Sequence, residues 1–320
     1  MMKVGIIGCG GIGRLHANAY SKVPNTELAA LIDFDLERAE KLAAEFGGRA
    51  YRSIDDCPEK LDLVSVVTPP SAHYKIVMDL LERRIPVFCE KPITMEIDQA
   101  KEIVRKSEET GVPVGIGFKM RYEPCFVKAK ELIGEIGKVF AVSAVKNQPY
   151  TEDPTRQWIK NTGCMYELSV HDYDLIDYIM DTKPVRVRAK LGYDLGWKRE
   201  DQAYLDVEYE NGVIGQLMSS YSTHTAWTGY DIALTFVGEK GYMRVERPDR
   251  IVLNTDQGYR TVSVEPIGGM DIFVVQAQKF ADTLEVGRAY HPDAADGAVQ
   301  TILIESANAS HLENQTIELC

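Results

Sequence analysis

Apolar and polar positions follow two different rhythms along this chain, and the change falls near residue 120. Before it, short apolar runs ("KVGIIG", "ELAALI", "LDLVSVV", "IPVFC", "VPVGIGF") alternate with stretches of helical spacing ("IGRLHANAYSKV", "DLERAEKLAAEFG", "SAHYKIVMDLLER", "MEIDQAKEIVRKSEETG"). Runs that are apolar throughout suit strands buried on both faces, and strands alternating with helices of this length predict a parallel, doubly wound sheet. After residue 120, one helix ("EPCFVKAKELIG") leads into segments that alternate inward and outward: "KVFAVSAVKN", "VRVRAKLGYD", "QAYLDVEYENGVIGQLMSSYS", "DIALTFVGEKGYMRVE" and "RIVLNT". Asn211-Gly212 and the "EKG" at 239–241 read as hairpin turns, so this half predicts an antiparallel sheet with one face toward water. Helical spacing returns at 166–180, at 272–286 and near 295–309. The expected organisation is an α/β protein with domains at 1–120 and 121–320, joined without a repeat or a low-complexity linker.

Composition narrows the function classes. With 36 basic against 48 acidic residues the formal charge is −12, which disfavours nucleic acid and anionic membrane as partners, since both require dense basic patches. No apolar run approaches the ~20 residues of a membrane helix, and the first residues do not read as a signal peptide. Cysteines 9, 57, 89, 125, 164 and 320 form no CxxC pair, so neither a metal site nor a disulfide framework is expected. A reduced, cytoplasmic setting fits this pattern.

The chemistry starts with the glycines. Gly8-x-Gly10-x-x-Gly13 lies between the first predicted strand and the first predicted helix, with Gly11 and Ile12 inside the turn. In that context glycine permits a tight turn and close approach to a pyrophosphate, while the helix N-terminus offers free N–H groups; a loop serving packing alone is the other reading. Asp33, twenty residues beyond Gly13, ends the second strand, where a carboxylate accepts hydrogen bonds from an adenosine ribose. A 2′-phosphate would meet that carboxylate with like charge, so NAD is expected in preference to NADP. In "CEKP" the strand "IPVFC" exits into Glu90, Lys91 and Pro92. Pro92 keeps Lys91 out of the helical region, so one ammonium is held at the carboxyl end of a parallel strand, where ligands of doubly wound sheets lie.

The second cluster is "ELSVHDYDLIDYIM". On a helix Glu167, His171, Asp174 and Tyr178 share a face, opposite Leu168, Leu175, Ile176 and Ile179. Glu167 one turn before His171 can orient the imidazole for proton transfer; a structural histidine stands beside this reading. Asp172 falls in the apolar arc and requires a partner. His73, after "TPP", reads as structural or cofactor-adjacent, and His16, His224, His291 and His311 show no partner at a telling spacing.

With these motifs the chain resembles the Gfo/Idh/MocA oxidoreductases. The likeness rests on "GCGGIGRLHANAY", "VTPPSAHYKIVMDLLERRIPVFCEKPI", "ELIGEIGKVFAV", "ELSVHDYDL", "FVGEKGYMRVE" and "DGAVQTILIESANAS", which span nearly the whole sequence. The resemblance implies a Rossmann domain followed by an α/β domain with a large, open, mostly antiparallel sheet that builds homodimers or homotetramers. It implies that Lys91 polarises the reacting oxygen and that His171 is the general acid/base. Glu167 stands where the inositol dehydrogenases commonly carry aspartate. Thr68, Pro69, His73 and Glu90 join the glycine loop and Asp33 as cofactor-side residues, and Asn147, Trp158 and Tyr230 face the substrate, with core packing an alternative for Trp158. The expected activity is NAD-dependent hydride transfer with a secondary hydroxyl of a sugar, cyclitol or polyol. An NAD-dependent glycosidase and a non-enzymatic NAD-responsive regulator are the alternatives.

Overall fold

Strands β1 (Met2–Ile7), β2 (Thr26–Ile32), β3 (Arg49–Tyr51), β4 (Leu63–Val66), β5 (Val87–Cys89) and β6 (Val114–Ile116) form one sheet in the order β3-β2-β1-β4-β5-β6. Every neighbouring pair in it is parallel. The computed structural model describes all residues except 151, 153–156, 222–230, 270 and 320. Helices α1 (Gly11–Tyr20), α2 (Leu36–Phe46), α3 (Pro70–Glu82) and α4 (Ile97–Thr110) connect the strands. The doubly wound reading of the first rhythm holds. Because all strands run one way, their carboxyl ends share one edge of the sheet, and the order reverses between β1 and β4. That switch point is where such sheets receive ligands.

The chain divides into two compact units, and the first is discontinuous: Met1–Tyr122 with Ile267–Thr301. A division at residue 120 leaves out this return. Helix α8 (Asp271–Glu285) places Ile272, Phe273, Ala277 and Phe280 in the same buried cluster as Val4, Ile6, Ala17, Tyr20 and Phe88. Phe280 stacks edge-on against Tyr290 at 4.9 Å and lies 5.3 Å from Phe88. A side chain at Gly115 would collide with both Phe280 and Tyr290, so β6 is shaped to receive them.

The second unit is Glu123–Pro266 with Ile302–Cys320. It holds α5 (Pro124–Leu132), β7 (Val139–Asn147), α6 (Ile159–Cys164), α7 (Val170–Met180) and the strands β8 (Pro184–Gly192), β9 (Gln202–Tyr209), β10 (Ile214–Ser220), β11 (Asp231–Gly238), β12 (Gly241–Glu246), β13 (Arg250–Thr255), β14 (Gly258–Ser263) and β15 (Ile317–Glu318). The nine-stranded sheet runs β14-β13-β12-β11-β7-β10-β9-β8-β15, antiparallel except for the β7–β10 pair. Both predicted hairpin turns are present. Alternation is visible in burial: along β7, Val142, Ala144 and Lys146 are buried, while Ser143 between them is exposed and Val145 half-buried. The long helix α9 (Ala294–Glu313) gives its first turns to the first unit and its remainder to the second. Among the described residues no helix is long and apolar enough to cross a membrane.

Candidate active site

Four loops at the carboxyl edge of the parallel sheet bring the predicted cofactor residues of the first unit together. After β1, Gly8 adopts φ +103°, and α1 begins at Gly11 with Gly13 in its first turn. A Cβ on Gly13 would strike the Gly8 carbonyl oxygen, so glycine lets the helix start directly against the loop. Gly10 and Gly11 behave differently: a Cβ on either would meet nothing within 4 Å. The space over the loop therefore lies open beside the free N–H groups of the first helical turn, which suits a pyrophosphate. Ile12 is 44% exposed next to it. Cys9, between the glycines, has its thiol pushed up to about 12 by burial and by the Asp33 charge, so it adds no negative charge to this anion cradle.

Asp33, buried at the end of β2, accepts a hydrogen bond from the Cys9 amide to Oδ2 (2.8 Å) and from the Asp35 amide to Oδ1 (2.9 Å). These two bonds fix the carboxylate and leave lone pairs on both oxygens for a diol. Arg38 pairs on the surface with Asp35, 3.1 Å away. A second guanidinium, Arg52, donates to the Phe34 carbonyl at 3.1 Å; the sequence reading did not single it out.

After β4, the buried Thr68 Oγ1 finds no hydrogen-bond partner among the described residues, and Pro69 precedes α3. His73 lies between two carbonyls, with Nε2 2.8 Å from Thr68 O and Nδ1 2.8 Å from Pro92 O. Burial lowers its pKa, against the two carbonyls, which raise it, and the ring bridges the Thr68 loop and the Lys91 loop. His73 is thus buried between two loops at the carboxyl edge of the sheet. An open glycine cradle, a fixed ribose-side carboxylate and an orphan hydroxyl along one edge fit NAD.

Lys91 lies two residues beyond the end of β5 and is partly buried; its backbone N–H donates to its neighbour Glu90 Oε2 at 3.1 Å. Glu90 turns inward rather than toward the open cradle. Its Oε1 is 2.9 Å from His16 Nε2, and His16 Nδ1 is 2.8 Å from Ser65 Oγ. Burial opposes the ionised Glu90 carboxyl, but the His16 hydrogen bond, with Lys119 and Lys91 nearby, outweighs it and holds the group below its usual range. A Cβ at Gly117 would press on this carboxyl. The backbone of Lys91 is thereby anchored, through Glu90, to α1 and β4.

In the second unit the segment before α7 departs from the expected single α-helix: Met165–Ser169 is wound as a π-helix and α7 begins at Val170. Such wide turns occur frequently at functional sites. The spacing from Glu167 to His171 spans the junction between the two windings, so it is not one full turn. Glu167 Oε1 accepts from Thr162 Oγ1 at 3.2 Å. His171 is 7% and Asp174 1% exposed, as deeply set as the apolar stripe of Leu168, Leu175, Ile176 and Ile179.

The partner that Asp172 requires is Lys146, 3.1 Å from Oδ1, with both side chains buried. Burial raises the Asp172 pKa, against Lys146 and Arg247, which lower it. This pair joins the strand end carrying Asn147 to the helix carrying His171; a lysine at an inward position of an alternating strand was the signal for it. Asn147 ends β7 opposite Ser220, with Oδ1 buried. Trp158 is 44% exposed, which removes core packing as its role. Tyr230 and His224 lie outside the described residues. Of the remaining histidines, His311 Nδ1 accepts from Leu191 N (3.2 Å), and His291 Nδ1 is 3.3 Å from Asp296 Oδ2.

Breaking one side of a buried ion pair leaves an uncompensated charge, at a cost of about 3–5 kcal/mol. Asp172→Leu should therefore lower stability by about that much, whereas Asp172→Leu combined with Lys146→Met should lose much less than the two single changes added together. Urea unfolding of the three variants checks this, and additive losses would remove the coupling.

The strand order, the glycine loop and the acid ending β2 define a dinucleotide-binding Rossmann protein coupled to a second, sheet-based unit. Residues 2–118 match the oxidoreductase family with an NAD-binding Rossmann fold, and residues 126–244 match the GFO/IDH/MocA C-terminal domain. The scyllo-inositol 2-dehydrogenase (NAD(+)) of Bacillus subtilis is 30% identical over 258 residues, covering 75% of this chain and 72% of the relative. An inositol 2-dehydrogenase of Rhizobium meliloti is 26% identical over 335 residues, 99% of each chain. The crystal structure of an oxidoreductase from Agrobacterium radiobacter in complex with NAD+, L-tartaric acid and magnesium superposes with a TM-score of 0.92 at 20% identity, over 99% of this chain and 98% of that one; this last likeness speaks for the fold. The chain belongs to the Gfo/Idh/MocA family of oxidoreductases.

Proposed function

We propose that the protein is an NAD-dependent dehydrogenase acting on a secondary hydroxyl of a sugar, cyclitol or related polyol. The nicotinamide, when bound, takes the hydride. Gly8, Gly10, Gly11, Ile12 and Gly13 hold the pyrophosphate, Asp33 the adenosine ribose, and Thr68 and Pro69, with His73 behind them, support the nicotinamide side. Lys91 stabilises the charge that grows on the substrate oxygen, and His171 accepts the hydroxyl proton, with Glu167 tuning its environment. Asn147, Trp158 and Tyr230 contact the substrate. The observation that carries the reading is the anchored Lys91, held by the Glu90–His16–Ser65 chain on the same sheet edge as the glycine cradle. The inositol dehydrogenases among the relatives support the polyol class. A homodimer or homotetramer is part of this reading, supported by Tyr204 and Ile214, which are exposed on one face of the sheet.

The test is NADH formation, followed by absorbance, across a panel of inositols, sugars and sugar acids. Turnover of one or more members is expected; release of reducing sugar from glycosides with no net NADH would replace the dehydrogenase by a glycosidase.

NAD should bind much more tightly than NADP. A like-charge pair at ~4 Å costs on the order of 4 kcal/mol at an effective dielectric of ~20, before screening, and Arg52 offsets part of it. Calorimetric titration with both nucleotides checks this; equal affinities would end the role given to Asp33.

A further inference from the structure

Gly163 breaks α6 with φ 79° and ψ 172°, and the helical path that carries Glu167 and His171 starts afresh after it. The first N–H groups of a helix have no intrahelical acceptor. Here one distant residue takes two of them: Glu200 accepts from the Cys164 amide through its backbone carbonyl (2.9 Å) and from the Met165 amide through its side-chain Oε1 (3.1 Å). A side chain on Gly163 would strike the Glu200 carboxyl, so the break in the helix and the seat for the carboxyl are the same position. Glu200 is 0% exposed.

We propose that Glu200 is a positioning residue for catalysis: through the Met165 amide its carboxyl fixes the wide turn Met165–Ser169, and so the placement of Glu167 and His171. The proposal rests on the reading of His171 as the proton acceptor. The groups facing the carboxyl are Arg199, whose Nε is 3.8 Å from Oε2, and Glu305, Cys164, Tyr166, Tyr173 and Tyr193. Arg199 is itself paired with Glu305 at 2.5 Å. Burial pushes the Glu200 pKa up to about 7, against the Met165 amide and Arg199. A carboxyl raised from 4.5 in this way contributes stability that is complete below pH 4.5 and is lost as pH rises through about 7.

Three variants test the role. Glu200→Gln keeps an acceptor oxygen for Met165 but cannot ionise, Glu200→Asp withdraws the carboxyl by one methylene, and Glu200→Ala removes it. With the best substrate of the polyol panel, well below the melting temperature of each variant, Ala and Asp should lower kcat roughly 10- to 100-fold with the KM for NAD unchanged, and Gln should restore most of the rate. Amide exchange over residues 165–169 should speed up in Ala and Asp but not in Gln. The melting temperature of the unsubstituted enzyme should fall relative to Gln as pH rises from 4.5 to about 7, and level off above that. Should Gln lose as much turnover as Asp, the hydrogen-bond acceptor is not what sets the rate and the proposal is overturned. The same follows if exchange accelerates in Ala or Asp while kcat stays unchanged. Failure of the underlying reading shows elsewhere, in an active His171→Asn enzyme, and leaves the exchange measurement intact.

Discussion

Lys91→Met should reduce kcat by roughly 100-fold or more, by analogy with the ~2.7–4 kcal/mol lost with a single oxyanion donor, while NAD affinity changes far less. Methionine matches lysine in length, so the substitution removes charge rather than bulk. Lys91 follows a buried strand, and its amide is tied to Glu90, which is in turn gripped by His16. A charge required only for solubility would not be held by so rigid a backbone. The oxygen that loses its hydrogen during hydride transfer develops negative charge, and a fixed ammonium stabilises that charge without reorganising. Lys91→Arg should not rescue turnover, because a planar fork cannot replace a compact ammonium there. Steady-state kinetics at saturating NAD, with the dissociation constant measured separately, decide the matter. A variant that lost cofactor affinity but kept its kcat would make Lys91 a nucleotide anchor.

His171→Asn is the second large effect. Proton transfer by a placed side chain contributes about 10²–10⁴-fold, and asparagine retains the size and polarity of the ring without its basicity. Most of kcat should disappear while NAD still binds. The sign of the pH effect is fixed by the role: a base works only when unprotonated, so the unsubstituted enzyme should lose rate as pH falls, and that acidic limb should be missing from the residual activity of the variant. Near-normal turnover would return His171 to a structural histidine in a buried helix.

The parts of this molecule legible in its sequence are those whose determinants lie close together in the chain. The parallel sheet is announced by apolar runs alternating with helices, and the cradle by four glycines within six residues between a strand and a helix. Strand β3 is three residues long like β5 and β6, but its Arg49-Ala50-Tyr51 lies in no apolar run that would announce it. The pattern at 272–286 identifies a helix with an apolar stripe, but nothing in a stripe says which sheet it covers; Phe280 against Phe88 shows that it closes the first unit. The buried polar contacts were hidden for the same reason. His16 meets Glu90 across 74 residues, Glu200 meets Met165 across 35 and Lys146 meets Asp172 across 26, and no local spacing encodes such distances. Asp172 was recognisable as an acid in need of a partner, though not as one of a pair.

The return of residues 267–301 to the first unit bears on how the protein is made. A growing chain that has delivered β1 to β6 still lacks Phe273, Phe280 and Tyr290, which close one face of that sheet. At ~5–20 residues per second, translation needs about 9–35 s more before these side chains have been synthesised. For that interval Val4, Ile6 and Phe88 belong to an unfinished core beside the ribosome, and the nucleotide-binding half of the protein completes its folding only after most of the other half has been synthesised.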